Sequence, residues 1–209
     1  MPTITYRTAA TGDDGYESVG VFTTGAAGFR LGDGGSAARS SFARWTGVTI
    51  PAGATINSAK VTLSDWWNES TAAGVTSQIR AQDAGNPSAP ADAAAFTAAA
   101  RTSQSVTYTI ASGTNQVTGT LRDTPDLTTV IQYMVNTYSY GNGSALTLFF
   151  DFVSVTAARQ LVFDSWDDDT LKGPLLTIDY SVGGGQPSSI RGQGIPGMGR
   201  IQQLSGRGW

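Results

Sequence analysis

Apolar and polar residues alternate in short runs along most of this chain, and a period of two predicts strands rather than helices. Residues 3–8 alternate Ile4 and Tyr6 with polar neighbours. Residues 16–23, 29–31 and 40–50 follow, the last with Phe42, Trp45, Val48 and Ile50, before a turn at Pro51-Ala52-Gly53. The clearest strand is 58–66, in which Ala59, Val61 and Leu63 face one way and Lys60, Thr62 and Ser64 the other. Such a pattern belongs to a sheet with one wet face. Residues 75–81, 105–111, 117–120, 160–163 and 175–180 continue the series, with Leu146, Leu148, Phe150 and Phe152 alternating in between.

Two segments change period. Leu127, Val130, Ile131, Met134 and Val135 make one apolar stripe at helical spacing, which predicts a helix over 125–137. Thr124 is its expected N-cap, with Pro125 in the first turn and Asp126 at the positive end of the dipole. Such a stripe is core, and the helix is expected to plug one open end of a sandwich. The Ala-rich stretch 92–101, with Phe96, predicts a second, shorter helix.

Beyond Tyr180 the periodicity stops. Gly183-Gly184-Gly185-Gln186-Pro187 reads as a joint, so the chain divides into a body, 1–182, and a Gly-rich arm, 183–209. Sixteen acidic and ten basic side chains lie in the body, while Arg191, Arg200 and Arg207 are the arm's only charges. An acidic body of net −6 therefore carries a basic arm of net +3. The arm also spaces apolar residues, Ile190, Ile195, Met198, Ile201, Leu204 and Trp209, that a free linker has little use for. Fixing a segment of that length costs on the order of 25 kcal/mol or more. The arm can offset that cost only against its own body or a neighbouring chain; a subunit interface supplies the long groove needed and is favoured, so Arg191, Ile195, Met198, Arg200, Ile201, Leu204, Arg207 and Trp209 are the expected partner-binding residues.

Composition narrows the chemistry. Neither Cys nor His occurs, which removes thiolate and imidazole metal sites, disulfides, and any nucleophile relay built on His. Only Lys60 and Lys172 supply ammonium groups. No catalytic residue is therefore assigned, and a non-enzymatic role is expected. Charged residues make up 14% of the chain, well under the usual quarter, so Ser, Thr, Gly and Asn must cover its surface. Surfaces of that kind suit extracellular β proteins and assembly subunits. No basic stretch leading into an apolar one opens the chain, and no run of about 18 apolar residues occurs. The expectation is synthesis in a host cytoplasm without a membrane partner. Three arginines on an acidic protein also argue against nucleic acid.

The acids Asp164, Asp167, Asp168 and Asp169 are the densest cluster and the candidate Ca²⁺ ligands, with a solvated turn as the plainer reading. Asp13-Asp14-Gly15 is a second such turn. No cofactor other than Ca²⁺ is expected. Adjacent Trp66 and Trp67 should point to opposite faces of a strand, leaving one free to stack on a sugar. A carboxylate pair facing across a cleft would instead make a glycan hydrolase.

Residues 40–45, Ser-Ser-Phe-Ala-Arg-Trp, followed by Ile50-Pro51-Ala52-Gly53-Ala54-Thr55-Ile56 and Ser58-Ala59-Lys60-Val61-Thr62-Leu63, resemble the core of DNRLRE-type modules. The runs 124–132 and 173–180 are similar to the late part of that pattern, and the likeness spans roughly 10–181. It implies a jelly roll of two antiparallel sheets like that of carbohydrate-binding modules, a type found on secreted surface proteins and in phage virion proteins. The expected molecule is thus an all-β, jelly-roll-like antiparallel sandwich with one capping helix and an extended C-terminal arm. Its expected role is a virion structural protein, a phage capsid decoration or cement subunit. Other virion subunits would be its partners, with a homo-oligomer such as a trimer the simplest assembly. The alternative is a carbohydrate-binding or adhesin module, on a tail fibre or cell surface, with a glycan as partner.

Overall fold

The structure, a computed structural model, describes residues 2–25, 28–35, 37–68, 74–157 and 159–183. The expected arm, 184–209, lies outside the described residues. Among the described residues twelve strands run β1 Thr3–Arg7, β2 Asp14–Ser18, β3 Val21–Thr24, β4 Phe29–Asp33, β5 Ala38–Val48, β6 Ala54–Ser64, β7 Val75–Ala81, β8 Val106–Ile110, β9 Leu121–Asp123, β10 Ser144–Val155, β11 Gln160–Phe163 and β12 Leu175–Val182. Two helices interrupt them, α1 Ala93–Ala98 and α2 Thr128–Thr137.

Every strand pair is antiparallel, and two sheets result. The smaller has the order β1-β12-β6-β9; the larger runs β11-β4-β5-β10-β7-β8, with the β2–β3 hairpin joined to β5 through β2. The all-β sandwich expected from the sequence is the fold observed. Alternation does the work: Ala54, Ile56, Ala59, Val61 and Leu63 of β6 are buried, while Lys60 and its polar neighbours are wet. They meet Leu31, Trp45, Ile79, Leu148 and Phe150 from the facing sheet in one core. Burying apolar area on this scale is the main force holding the sheets together. Trp45, wholly buried, also donates its Nε1 proton to the Pro174 carbonyl at 3.0 Å.

Helix α2 lies against β6 and β7, one strand from each sheet, with Val130, Ile131, Met134 and Val135 buried. It spans the gap between the sheets, as its stripe requires. It begins at Thr128, three residues later than the pattern predicts, and Leu127 rather than Thr124 is its cap. The Thr124 hydroxyl is taken by the Val61 N–H at 3.1 Å, and Asp126 accepts from the Ala59 N–H at 3.0 Å. Thr124 thus binds β6 instead of capping, while Asp126 stands at the helix N-terminus as expected and also accepts from the Thr128 N–H at 3.2 Å. Helix α1 is capped by Asp92, which accepts from the Ala95 N–H at 2.7 Å. It covers a second apolar cluster, Phe42, Phe96 and Phe149 with Phe22, on the outer face of the larger sheet.

Two strand expectations need correction. Residues 16–23 are a hairpin, β2 and β3 joined at Val19-Gly20, where φ is +48° and +80°. A two-residue turn of that hand suits the twist of the strands it joins. Residues 117–120 are a turn, and the strand is the next three residues, β9. The turn is held by Asp65, whose N–H donates to the Thr120 carbonyl and whose carbonyl accepts from the Gly119 N–H.

Candidate functional site

The tryptophan pair sits where β6 leaves its sheet. Regular pairing stops at Ser64, Asp65 forms a single bridge to Phe163, and Trp66 donates its N–H to the Val162 carbonyl at 3.2 Å. The chain is no longer a flat strand there, so the two indoles do not point to opposite faces. Their ring centres are 5.7 Å apart at a 37° tilt, and both are half-buried. Trp67 directs its Nε1 proton inward to Gln116 Oε1, at 3.3 Å.

Beneath the pair lies a closed polar network. Gln116 is buried and makes four bonds: its Nε2 donates to the Val162 carbonyl and to Asp65 Oδ1, and its Oε1 accepts from the Val162 N–H and from Trp67. Its amide thus pairs with Val162 as a strand backbone would. The Asp65 carboxylate further accepts from the Val117 N–H and from Arg122. Buried polar groups are tolerable when satisfied in this way.

The acidic turns are also structural. Asp168 accepts from the Gly28 N–H at 2.7 Å and the Ser165 hydroxyl at 2.9 Å; Asp169 accepts from the Leu171 N–H and from Lys172. Those bonds hold the Asp169 carboxyl below its ordinary range. Asp164 is buried, and burial raises it; Asp167 is exposed. Asp13 pairs with Arg44 at 2.7 Å. Asp14 accepts from the Thr8 hydroxyl at 3.0 Å and the Trp166 N–H at 2.9 Å, which brings the two acidic turns together. Burial pushes Asp14 up to about 6, against those two bonds. Among the described residues no group of three or more acids converges as a metal site.

The smaller sheet offers a surface that the sequence did not single out. On its outer face a hollow of about 230 Å³ is bounded by Ser58, Lys60, Asp123, Asp126, Thr177 and Asp179. Lys60 and the Thr62 hydroxyl both bind Asp123, each at 2.6 Å, and the Ser58 hydroxyl binds Asp179 at 2.9 Å. Three carboxylates face one ammonium group, so the patch is acidic. Only the wet face of β6 was legible in advance; Asp123, Asp126 and Asp179 reach it from strands or loops far along the chain. β12 ends at Val182, close in sequence to Asp179 and directly before the basic arm. The partner-binding residues assigned to that arm, from Arg191 to Trp209, lie outside the described residues. Two exposed leucines, Leu121 at 68% and Leu171 at 77%, flank the same sheet beside Arg7 and Lys172.

One open groove holds two acids. Glu17 and Asp151 line it on the outer face of the larger sheet. Asp151 is bonded to Arg101 at 3.4 Å, and Glu17 caps the Gly20 N–H.

No protein family and no curated protein matches this sequence at significant similarity.

Proposed function

We propose that this chain is a non-enzymatic structural subunit of a virion, a capsid decoration or cement protein that works by gripping its neighbours. The observation that carries the reading is the split of charge between an acidic sandwich and a basic arm. In the body the buried acids Asp13, Asp14 and Asp65 are engaged with the fold itself, by salt bridges or hydrogen bonds. In the arm Arg191, Arg200 and Arg207 alternate with apolar residues, a composition suited to lying along another surface. A like subunit presents such a surface in the acidic face around Asp123, Asp126 and Asp179, so a homo-oligomer is the natural assembly. A standard interface buries about 1,600 Å², which an arm of this length approaches alone. The likeness of 40–63 and 124–132 to DNRLRE-type modules agrees with the reading, since such modules occur in virion proteins.

Truncation after Gly183 tests it. The full chain is expected to sediment as an oligomer that weakens at high salt and to co-purify with particles. The truncated chain is expected to stay folded, sediment as a monomer and leave the particle. Equal association of both forms, or a full-length chain recovered only free, would remove the reading.

A further inference from the structure

The outer face of the smaller sheet holds a second hollow beside the acidic one. It measures about 180 Å³ and is bounded by Thr62, Ser64, Leu121, Leu171 and Leu175, with Arg7 and Lys172. The same three strands run from one hollow into the other. β6 gives Ser58 and Lys60 to the acidic hollow, then Thr62 and Ser64 to the leucine hollow. β12 gives Asp179 and Thr177 to the first and Leu175 to the second, and β9 divides Asp123 and Leu121 between them. The middles of the two hollows are thus four residues apart along β6, about 13 Å of strand.

The two hollows offer different chemistry. In the leucine hollow the cations are committed: Arg7 donates to the Gly173 carbonyl at 2.6 Å, and Lys172 pairs with Asp169 at 3.1 Å. What remains there is exposed aliphatic surface. In the acidic hollow Asp123 is held by Lys60 and Thr62, and Asp179 by Ser58. Asp126 instead places its hydrogen bonds on Oδ1, accepting there from the Ala59 N–H and from Thr128. Its Oδ2 has no hydrogen bond among the described residues. A free carboxylate oxygen with two more carboxylates beside it suits a guanidinium.

The face therefore fits a chain that carries a guanidinium and, about 13 Å further on, an aliphatic side chain. The arm has that spacing. Leu204 follows Arg200 by four residues, and Ile195 follows Arg191 by four. No Gly lies between Arg200 and Leu204, whereas two lie between Arg191 and Ile195, so the later unit loses less freedom when laid out straight. Arg200 is also eighteen residues beyond Val182, where β12 ends, a reach of up to about 60 Å. The chain's own acidic hollow begins only three residues back from that end, at Asp179, so such a tether overshoots it and suits a neighbour.

We infer that Arg200 and Leu204 of one copy dock on the outer face of the smaller sheet of a second copy, Arg200 on Asp126 and Leu204 on Leu121 and Leu171. This docking rests on the arm's gripping role proposed above and adds to it a register and a second, apolar point of contact.

Sedimentation equilibrium of the full chain over a range of concentrations tests it. Asp126→Asn keeps an oxygen for the Ala59 N–H and Thr128, and should weaken self-association about 10-fold, the loss of one charge-assisted bond. Arg200→Gln should weaken it equally, and both together little more than either alone, because they remove one contact. Leu121→Ser and Leu204→Ser should each weaken it about 5-fold through lost apolar burial. Arg207→Gln removes the same charge from the arm and, acting only at long range, should change it less than about 2-fold. Melting temperatures should stay at the parent's value. The proposal is overturned if Asp126→Asn and Leu121→Ser associate as tightly as the parent, or if Arg207→Gln costs as much as Arg200→Gln. Should truncation after Gly183 abolish association while those face variants keep it, the gripping role stands and this seat falls. A full chain that is monomeric at every concentration removes both.

Discussion

Arg122 and Asp65 meet through two parallel hydrogen bonds, Nε to Oδ1 at 2.7 Å and the terminal nitrogen to Oδ2 at 2.6 Å, with the carboxylate wholly buried. The pair ties β9 and the turn before it to the end of β6, which itself bridges to β11 in the other sheet. The bond to Asp65 is also the largest cause of the raised Arg122 guanidinium.

Removing one partner should therefore cost more than the pair is worth. Arg122→Ala leaves a buried carboxylate with Gln116 and the Val117 N–H as its remaining donors. A loss of about 3 kcal/mol or more is expected in denaturant unfolding. The double variant Asp65→Asn with Arg122→Met should recover part of it. A single variant within about 0.5 kcal/mol of the parent would show that the pair is not buried in solution.

Asp14 makes the fold sensitive to pH in an unusual direction. Its native value, about 6, lies above the ordinary carboxylate value near 3.8, so the folded state holds this proton more tightly than the unfolded one. This contribution is fully present below about pH 4 and is lost as the pH rises through 6. Its full size is on the order of 3 kcal/mol. Asp14→Asn keeps an oxygen for Thr8 and Trp166 and has no charge to bury. It should match the parent near pH 4 and exceed it in stability at pH 8, as read from urea midpoints at both. A parent that gains stability steadily from pH 4 to 8 relative to the variant contradicts this.

Val19 occupies left-handed backbone, φ +48°, with its side chain 73% exposed. A β-branched residue is strained there and gains nothing from burial. Val19→Asn should raise stability by about 0.5–1 kcal/mol and Val19→Gly by less. Thermal melts of the two variants check it, and destabilisation by both would mean that the side chain is held by something outside the described fold.

Most of the body could be read from alternation, because a strand with one wet face writes its burial into every second residue. β6 and β7 are the clearest cases. What escaped reading was settled by contacts distant in sequence. Val19 continues an apolar run and looks like strand, yet pairing of Ser18 with Val21 requires a turn there. Residues 117–120 look like strand, yet the backbone and carboxylate of Asp65 capture them. Thr124 looks like a cap, but its hydroxyl is bound by β6. The open groove of the larger sheet was invisible for the same reason: Glu17, Ser40, Gln78 and Asp151 become neighbours only through the register of four strands. The smaller sheet's acidic face follows from β6, β9 and β12 in the same manner.

β1 has β12 as its sole strand partner among the described residues, Thr3 opposite Asp179 and Arg7 opposite Leu175. During synthesis β1 must therefore wait for β12, some 170 residues further along the chain, before its hydrogen bonds can close. Until then Ile4 and Tyr6 stay exposed on a bare edge, open to pairing with another nascent copy. Closure across so much of the chain also makes this seam a slow step in folding, so dilution and low temperature during refolding should protect the yield.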